Sequence, residues 1–297
     1  MADLLGHRVD GPAQLRALLA GAEPVVAPGA YDALSARLVE AAGFPAVYMT
    51  GFGVTASLIG RPDIGLLTMT EMVQAARRIV STVAVPVIAD ADTGYGNALN
   101  VVRTVQEYEA AGVAGIHLED QVTPKRCGHM EDKQVIGSPD AVDKVRAAVA
   151  ARQNPDFLLI ARTDARAVEG LEAAIDRARR YRDAGADALF VEALRDEREM
   201  ERVAEVFSGF PLLFNWAEGG KTPPTGLDRI RELGFRIVIY PISTLLAATA
   251  AVREVIDRIK RDGSPINAVQ DLPGFGEFTG VVGFAEVQEI ARRFGNG

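Results

Sequence analysis

The sequence predicts an α/β protein, a (β/α)8 TIM barrel with a helical C-terminal extension. Three observations lead there. Short, continuous apolar runs alternate with amphipathic segments of helical period. Four of the helical segments end in an Ala-Gly or Leu-Gly pair (residues 42–43, 111–112, 184–185 and 233–234) directly before such a run. Glycine just past a helix adopts the left-handed conformation that ends it. The runs can be counted to eight, and a continuous apolar run reads as a strand buried on both faces of a parallel sheet. That number of alternating units favours a closed barrel over an open doubly wound sheet.

In chain order, a helical segment Pro12–Leu19 comes first. Strand Val25–Ala27 leads to helix Asp32–Ala42, Ala46–Met49 to Thr70–Thr82, and Val87–Ala89 to Ala98–Ala111. Gly115–Leu118 leads to Pro139–Arg152, Phe157–Ala161 to Leu171–Ala184, and Ala188–Val191 to Glu197–Phe207. Leu212–Phe214 leads to Leu227–Leu233, and Ile237–Ile239 to a helix over Ser243–Arg261. The expected organisation is a barrel over residues 1–261 and an extension over 262–297. The extension ends in a helix, Phe284–Arg293, and is expected to pack on a neighbouring subunit or cap the barrel.

Composition excludes several function classes. The chain has 297 residues, 48% hydrophobic and 24% charged, with a net charge of −8. An acidic balance argues against a nucleic-acid partner, which needs a basic face. Apolar runs such as Val85–Ala89 and Ile237–Ile242 fall far short of the ~18 residues that span a bilayer, so no membrane partner is expected. The first ten residues carry no apolar signal core, and Cys127 is the only cysteine. No intrachain disulfide can form, and with three histidines a Cys/His zinc site is nearly excluded. A cytoplasmic, reduced protein is the expectation.

The strand ends carry the chemistry. Directly after the apolar runs stand Thr50, Asp90 with Asp92, Glu119 with Asp120, Arg162 with Asp164, Glu192, Asn215 and Tyr240. Any one of these simply marks where a strand stops. As a set they converge on the face of a barrel where its active sites lie. Asp90-Ala91-Asp92 is the expected metal site, because alternate residues at a strand end aim two carboxylates at one centre. Oxygen ligands favour Mg²⁺, with Mn²⁺ possible, and Glu119 and Asp63 would add ligands through water. The following Thr93-Gly94-Tyr95-Gly96 does not complete a dinucleotide fingerprint.

Gln121–Gly137 is the longest polar interruption between a strand and its helix, as an active-site lid would be. It contains Lys125-Arg126-Cys127-Gly128-His129. Cationic neighbours favour a thiolate at Cys127, and Gly128 lets the backbone approach a ligand closely. Arg162 suits a carboxylate or phosphate. Asn215 and Thr222 flank the Glu218-Gly219-Gly220-Lys221 turn, which is either an anion-binding turn or a plain loop.

At these residues, over about Pro24–Arg261, the sequence resembles the isocitrate lyase / phosphoenolpyruvate mutase superfamily. Lys125-Arg126-Cys127-Gly128-His129 is the most specific piece and looks like the catalytic loop of the lyase branch. Asp90–Gly96, Glu119-Asp120-Gln121, Ala161–Asp164 and Asn215–Pro223 support it. The resemblance implies Mg²⁺ near Asp90 and Asp92, with Asp63 and Glu119 around them. It implies that Thr50-Gly51-Phe52 holds the 2-oxo-acid portion of a small carboxylate substrate, with Thr50 in place of the usual Ser. It makes Cys127 the catalytic thiol and places Arg162, Glu192 and Asn215 around the substrate; Lys125, Gly128 and Thr222 are also expected to bind it. It also implies a homotetramer that exchanges C-terminal helices.

On that basis the expected reaction is carbon–carbon cleavage. Tyr48 is the candidate base for the substrate hydroxyl, His129 and Arg162 stabilise the departing enediolate, and Cys127 protonates it. Enzymes of the superfamily that act on tricarboxylates carry extra arginines, but Pro241–Ala248 and Ile266–Ile290 contain neither Arg nor Lys. An unpaired third carboxylate would be costly to bury. An apolar pocket end formed by Leu245, Leu246, Leu272 and Phe275 is expected instead, so a 2-alkylmalate is favoured. The alternatives are carboxyphosphonoenolpyruvate mutase, methylisocitrate lyase, oxaloacetate hydrolase and a non-enzymatic scaffold that binds oxo acids.

Overall fold

The computed structural model describes residues 4–5, 10–128, 130, 132–268 and 272–295. Eight parallel strands form one sheet: β1 Val25–Ala30, β2 Val47–Met49, β3 Val87–Asp90, β4 Gly115–Glu119, β5 Leu158–Thr163, β6 Ala188–Val191, β7 Leu213–Asn215 and β8 Ile237–Tyr240. Their order is β6-β5-β4-β3-β2-β1-β8-β7. A parallel bridge from Leu189 to Leu212 joins β6 to the start of β7, so the sheet closes as the expected (β/α)8 barrel. All eight apolar runs are strands. The glycines that end the preceding helices do take positive φ, 85° at Gly43, 87° at Gly112, 103° at Gly185 and 89° at Gly234.

Helices α1 Gly11–Ala20 and α2 Ala33–Ala41 flank β1, and α3 Gly51–Ile59 and α4 Met69–Val80 follow β2. α5 Ala98–Ala111 and α6 Ser138–Ala151 follow β3 and β4, and α7 Ala165–Val168 and α8 Leu171–Asp183 follow β5. α9 Glu197–Val206, α10 Leu227–Glu232 and α11 Ser243–Asp262 complete the ring. Sequence reading missed α3, which has two glycines in its first turn and so few polar residues that it shows no amphipathic period. It also missed the four-residue α7. Elsewhere the period is clear: α4 buries Met72, Val73, Ala76 and Ile79 on one stripe, behind a capping box between Thr68 and Glu71.

The barrel interior is packed with Tyr48, Ile88, Ile160, Phe190, Leu213 and Ile237, joined by Leu15 of α1. Larger apolar clusters lie between sheet and helices. Strand register then sets the site. Asp90 is aligned with His117, and Glu119 with Arg162, so groups far apart in sequence end side by side at the same rim.

The tail continues in α12 Phe275–Val281 and α13 Phe284–Phe294. Arg37 on α2 reaches the Val281 carbonyl at 3.3 Å. Neither tail helix, nor α11, has a buried residue in this single chain. Among the described residues, no helix is long and apolar enough to cross a membrane.

Candidate active site

A cavity of about 220 Å³ opens at the carboxyl ends of the strands. That is below the ~300–1,000 Å³ typical of drug-sized ligands, and it suits a small acid. Tyr48, Phe190 and Ile239 form its base, and Thr50, Asp63, Asp90, Arg162, Glu192 and Asn215 its polar wall. Lys125, Cys127 and Gly128 of the β4–α6 loop and Phe52 of α3 close it. Apart from Phe190 and Ile239, these residues were singled out from sequence, and the fold brings them together. Gly51 lies against the wall, where a Cβ would stand 2.5 Å from Asp90 Oδ2. Asp92 and Glu119 sit one layer out, both buried. His129 lies outside the described residues.

Three expectations need correction. Thr222 does not line the cavity; a turn closed by Gly220 N donating to Ala217 O at 3.1 Å presents Glu218, Gly219 and Gly220 instead. Within this single chain Leu245, Leu246, Leu272 and Phe275 do not line the cavity. The chain turns at Pro241 and Ile242, and these two with Phe52, Met130 and Ile239 make its apolar surface. Leu272 and Phe275 ride on the tail and are exposed. Asp90 and Asp92 are not aligned by strand pleating. The strand ends at Asp90, Asp92 takes a φ of 47°, and its amide donates to Asp90 Oδ1 at 2.9 Å. A tight turn, held in a conformation that is uncommon for a residue with a side chain, is what converges the two acids.

Lys125 was expected at the substrate, and its side chain does line the cavity. Its ammonium, however, is committed to acids, 2.5 Å from Asp63 Oδ1 and 2.8 Å from Asp92 Oδ1. Burial opposes that charge, but Asp92 and Asp63 outweigh it and hold Lys125 protonated. Burial pushes the Asp92 carboxyl up to about 6, Lys125 notwithstanding.

Arg162 is the hub of the other side. Its Nε lies 2.9 Å from Asp164 Oδ2 and 3.3 Å from Glu119 Oε2, and its Nη2 3.3 Å from Glu192 Oε2. The guanidinium also covers the Phe190 ring at 4.9 Å. Asn215 Nδ2 donates to Glu192 Oε2 at 3.0 Å. Burial raises the Glu119 carboxyl well above the ordinary range, against the pull of Arg162.

Sequence reading missed His117, which faces the barrel interior below Asp90. Its Nε2 pairs with the Tyr48 hydroxyl at 2.8 Å. Burial pulls the imidazole down to about 4, so it is neutral at pH 7. Burial and the Asp90 charge both push the Tyr48 phenol well above its ordinary value. Tyr48 is thus held as a phenol hydrogen-bonded to His117 Nε2, so as the expected base it would take up a proton by passing its own to that nitrogen. A histidine inside an apolar run gives no sequence signal beyond a core residue.

The donor set fits a hard divalent cation. Every candidate ligand is a carboxylate oxygen, and Glu119 Oε1 is buried without a hydrogen-bond partner. The Lys125 ammonium ion-pairs with two of the acids, yet Asp92 Oδ1 is likewise buried without a hydrogen-bond partner. Among the described residues, no three His, Cys, Asp or Glu side chains form a ready-made cage. Magnesium does not require one, since it keeps waters and takes only one or two carboxylates plus substrate oxygens.

Comparison with known proteins agrees with this geometry. The model of the family described as phosphoenolpyruvate phosphomutase matches residues 15–260. The chain is 46% identical over 285 residues to 2,3-dimethylmalate lyase of Eubacterium barkeri, covering 96% of this chain and 98% of that one. The structure of oxaloacetate acetylhydrolase bound to 3,3-difluorooxalacetate superposes with a TM-score of 0.93 at 38% identity, covering 98% and 99% of the two chains. Phosphonopyruvate hydrolase in complex with oxalate and Mg²⁺ superposes with a TM-score of 0.88 at 34% identity, covering 96% and 99%. By its matched length, its barrel and its acid-rich rim, the chain belongs to the phosphoenolpyruvate phosphomutase family, within the PEP mutase/isocitrate lyase superfamily.

Proposed function

We propose that the protein is a carbon–carbon lyase. It cleaves a 2-hydroxy dicarboxylate of the 2-alkylmalate type to a 2-oxo acid such as pyruvate plus a second carboxylate. The observation that carries the reading is the division of one small cavity. Acids and Arg162 make its polar lining, Phe52, Met130, Ile239, Pro241 and Ile242 its apolar lining, and Cys127 and Gly128 of the loop also line it. The cationic side chains on its wall are Lys125, Arg126 and Arg162, and Lys125 and Arg162 are already engaged by acids. A third substrate carboxylate would compete for the remainder, whereas an alkyl group matches the apolar side. The similarity to 2,3-dimethylmalate lyase supports the same class.

Asp90 and Asp92, with Asp63 and Glu119 around them, would hold Mg²⁺. When bound, the ion would polarise the C2 hydroxyl and C1 carboxylate of the substrate. The chain's own groups do the rest. Thr50 caps α3, accepting from Gly53 N at 3.2 Å, and the amides of this helix start, with Gly51 and Phe52, favour a carboxylate. The Tyr48 hydroxyl, hydrogen-bonded to His117 Nε2 at 2.8 Å, takes the C2 hydroxyl proton as it passes its own to that imidazole nitrogen. Arg162 and Glu192 orient the fragment that departs when the C2–C3 bond breaks. Cys127 donates the proton that neutralises its carbanion, while the loop keeps bulk water away.

The test is a panel of 2-alkylmalates, 2-methylisocitrate, oxaloacetate and phosphonopyruvate, with products identified by mass. Turnover of 2,3-dimethylmalate to pyruvate supports the reading, and oxaloacetate or phosphonopyruvate as the preferred substrate overturns it. Oxaloacetate hydrolysis is the second reading, favoured by the 0.93 TM-score to the acetylhydrolase. The exposed apolar side chains of the tail, Phe275, Phe278 and Phe284 among them, support a homo-oligomer in which the extension packs on a neighbouring copy.

A further inference from the structure

The loop from Gln121 to Gly137 is fastened at three levels. At its stem, Gln121 and Val135 form an antiparallel bridge, and Val122 N donates to Gln134 O at 2.9 Å. Midway, the Gln121 amide grips the backbone of Arg126, accepting from its N at 3.0 Å and donating to its O at 2.8 Å. At the tip, the Lys133 ammonium donates to the Gly128 carbonyl and to Asp164 Oδ1, the latter at 2.7 Å.

Lys133 is unusual for a loop lysine. Its side chain is 1% exposed, although solvent is available to the loop around it. Burying an ammonium is costly unless charged and polar partners meet it, and here they do. Asp164 is itself immobile: its amide donates to Asp120 Oδ1 at 2.9 Å, and Asp120 accepts from Thr163 and Tyr181 at 2.7 Å each. The other Asp164 oxygen holds Arg162 Nε at 2.9 Å. Lys133 does not line the cavity, so it has no route to the substrate.

We propose that Lys133 is a positioning residue, the latch that holds the Cys127 loop shut by tying the Gly128 carbonyl to Asp164. Because Asp164 carries both Lys133 and Arg162, the closed position of the thiol is fastened to the residue that faces the substrate. The latch itself rests on contacts alone. Only its effect on turnover rests on the lyase reading, and the two are measured separately.

The probe is iodoacetamide on the single cysteine of the full-length protein, with alkylation followed by mass, and melting temperature recorded for each variant. Lys133→Met keeps length and removes the donor. It is expected to alkylate at least about tenfold faster than wild type, the size expected when a charge-assisted hydrogen bond is lost from one of two loop states. Removing a nearby positive charge would by itself slow alkylation by disfavouring the thiolate, so acceleration reports opening. Lys133→Arg should restore much of the protection. In turnover of 2,3-dimethylmalate, Lys133→Met should lose roughly 10² in kcat with KM within a few-fold, as for a misplaced reacting group. Folded Lys133→Met that alkylates within twofold of wild type overturns the latch. If that variant does not fold, Asp164→Asn decides in its place: faster alkylation supports the latch and an unchanged rate refutes it. Accelerated alkylation in a protein that turns over none of the panel leaves the latch standing and removes the lyase assignment.

Discussion

Gly128→Ala should separate catalysis from stability. A Cβ built on Gly128 lies 2.5 Å from Arg162 Nη2 and 2.7 Å from both Cγ and Oε2 of Glu192. Neither neighbour can yield easily. Arg162 is clamped by Asp164, Glu119 and Glu192, and Glu192 also accepts from Asn215 at 3.0 Å and Ala193 N at 2.7 Å. The loop is the softer partner, so restoring ordinary carbon contacts of roughly 3.5 Å lifts its tip by about 1 Å. A displacement of that size at a reacting group costs on the order of 10² in rate, or about 2.7 kcal/mol of barrier. The barrel is untouched, so the melting temperature should fall by no more than about 2 °C, equivalent to about 1 kcal/mol in a chain of this size. The assay is 2-oxo-acid release from saturating 2,3-dimethylmalate, with a thermal melt alongside. A variant with wild-type kcat would refute the argument that the closed loop seats Gly128 against Arg162 and Glu192 during turnover.

Three further outcomes are expected. Cys127→Ser should bind substrate with KM within a few-fold of wild type while kcat falls by about 10²–10⁴, as for loss of a positioned acid; steady-state kinetics read both. Excess EDTA should abolish activity and added Mg²⁺ restore it, and full activity in chelator would remove the ion from the scheme. His117 is held neutral with its pKa near 4, whereas in the unfolded chain it titrates near 6.5. The unfolded state therefore takes up a proton that the folded state refuses, and stability drains away as pH falls from about 6.5 to about 4. The full contribution is about 3 kcal/mol. His117→Gln, which can still meet the Tyr48 hydroxyl, should flatten the acid side of a melting-temperature profile over that window.

The architecture was legible because it is written in short-range pattern. Runs such as Ala188–Val191 and Gly115–Leu118 are apolar at every position, and the glycines at 43, 112, 185 and 234 stop the helices before their strands. The polar residues after those runs were legible for the same reason, since a strand end is a local feature. α3 was not, because Gly51–Ile59 has no polar face to set a period. The inward-facing His117 was not, because its position in a strand interior resembles any core residue.

What the amino-acid order fixed by itself was how many strands there are, where they end and which side chains stand at those ends. Tertiary structure decided how those side chains divide among themselves. Lys125 could have faced substrate, but the fold sets it against Asp63, 62 positions earlier. Arg162 could have stood free, but β4 and β6 bring Glu119 and Glu192 to it. Lys133 sits in a polar loop and is nonetheless drawn inward by an aspartate 31 positions later. Backbone preference and hydrophobic period act over a few residues and can be read along the chain. Ion pairing and desolvation depend on distance in space, which exists only once the barrel has closed.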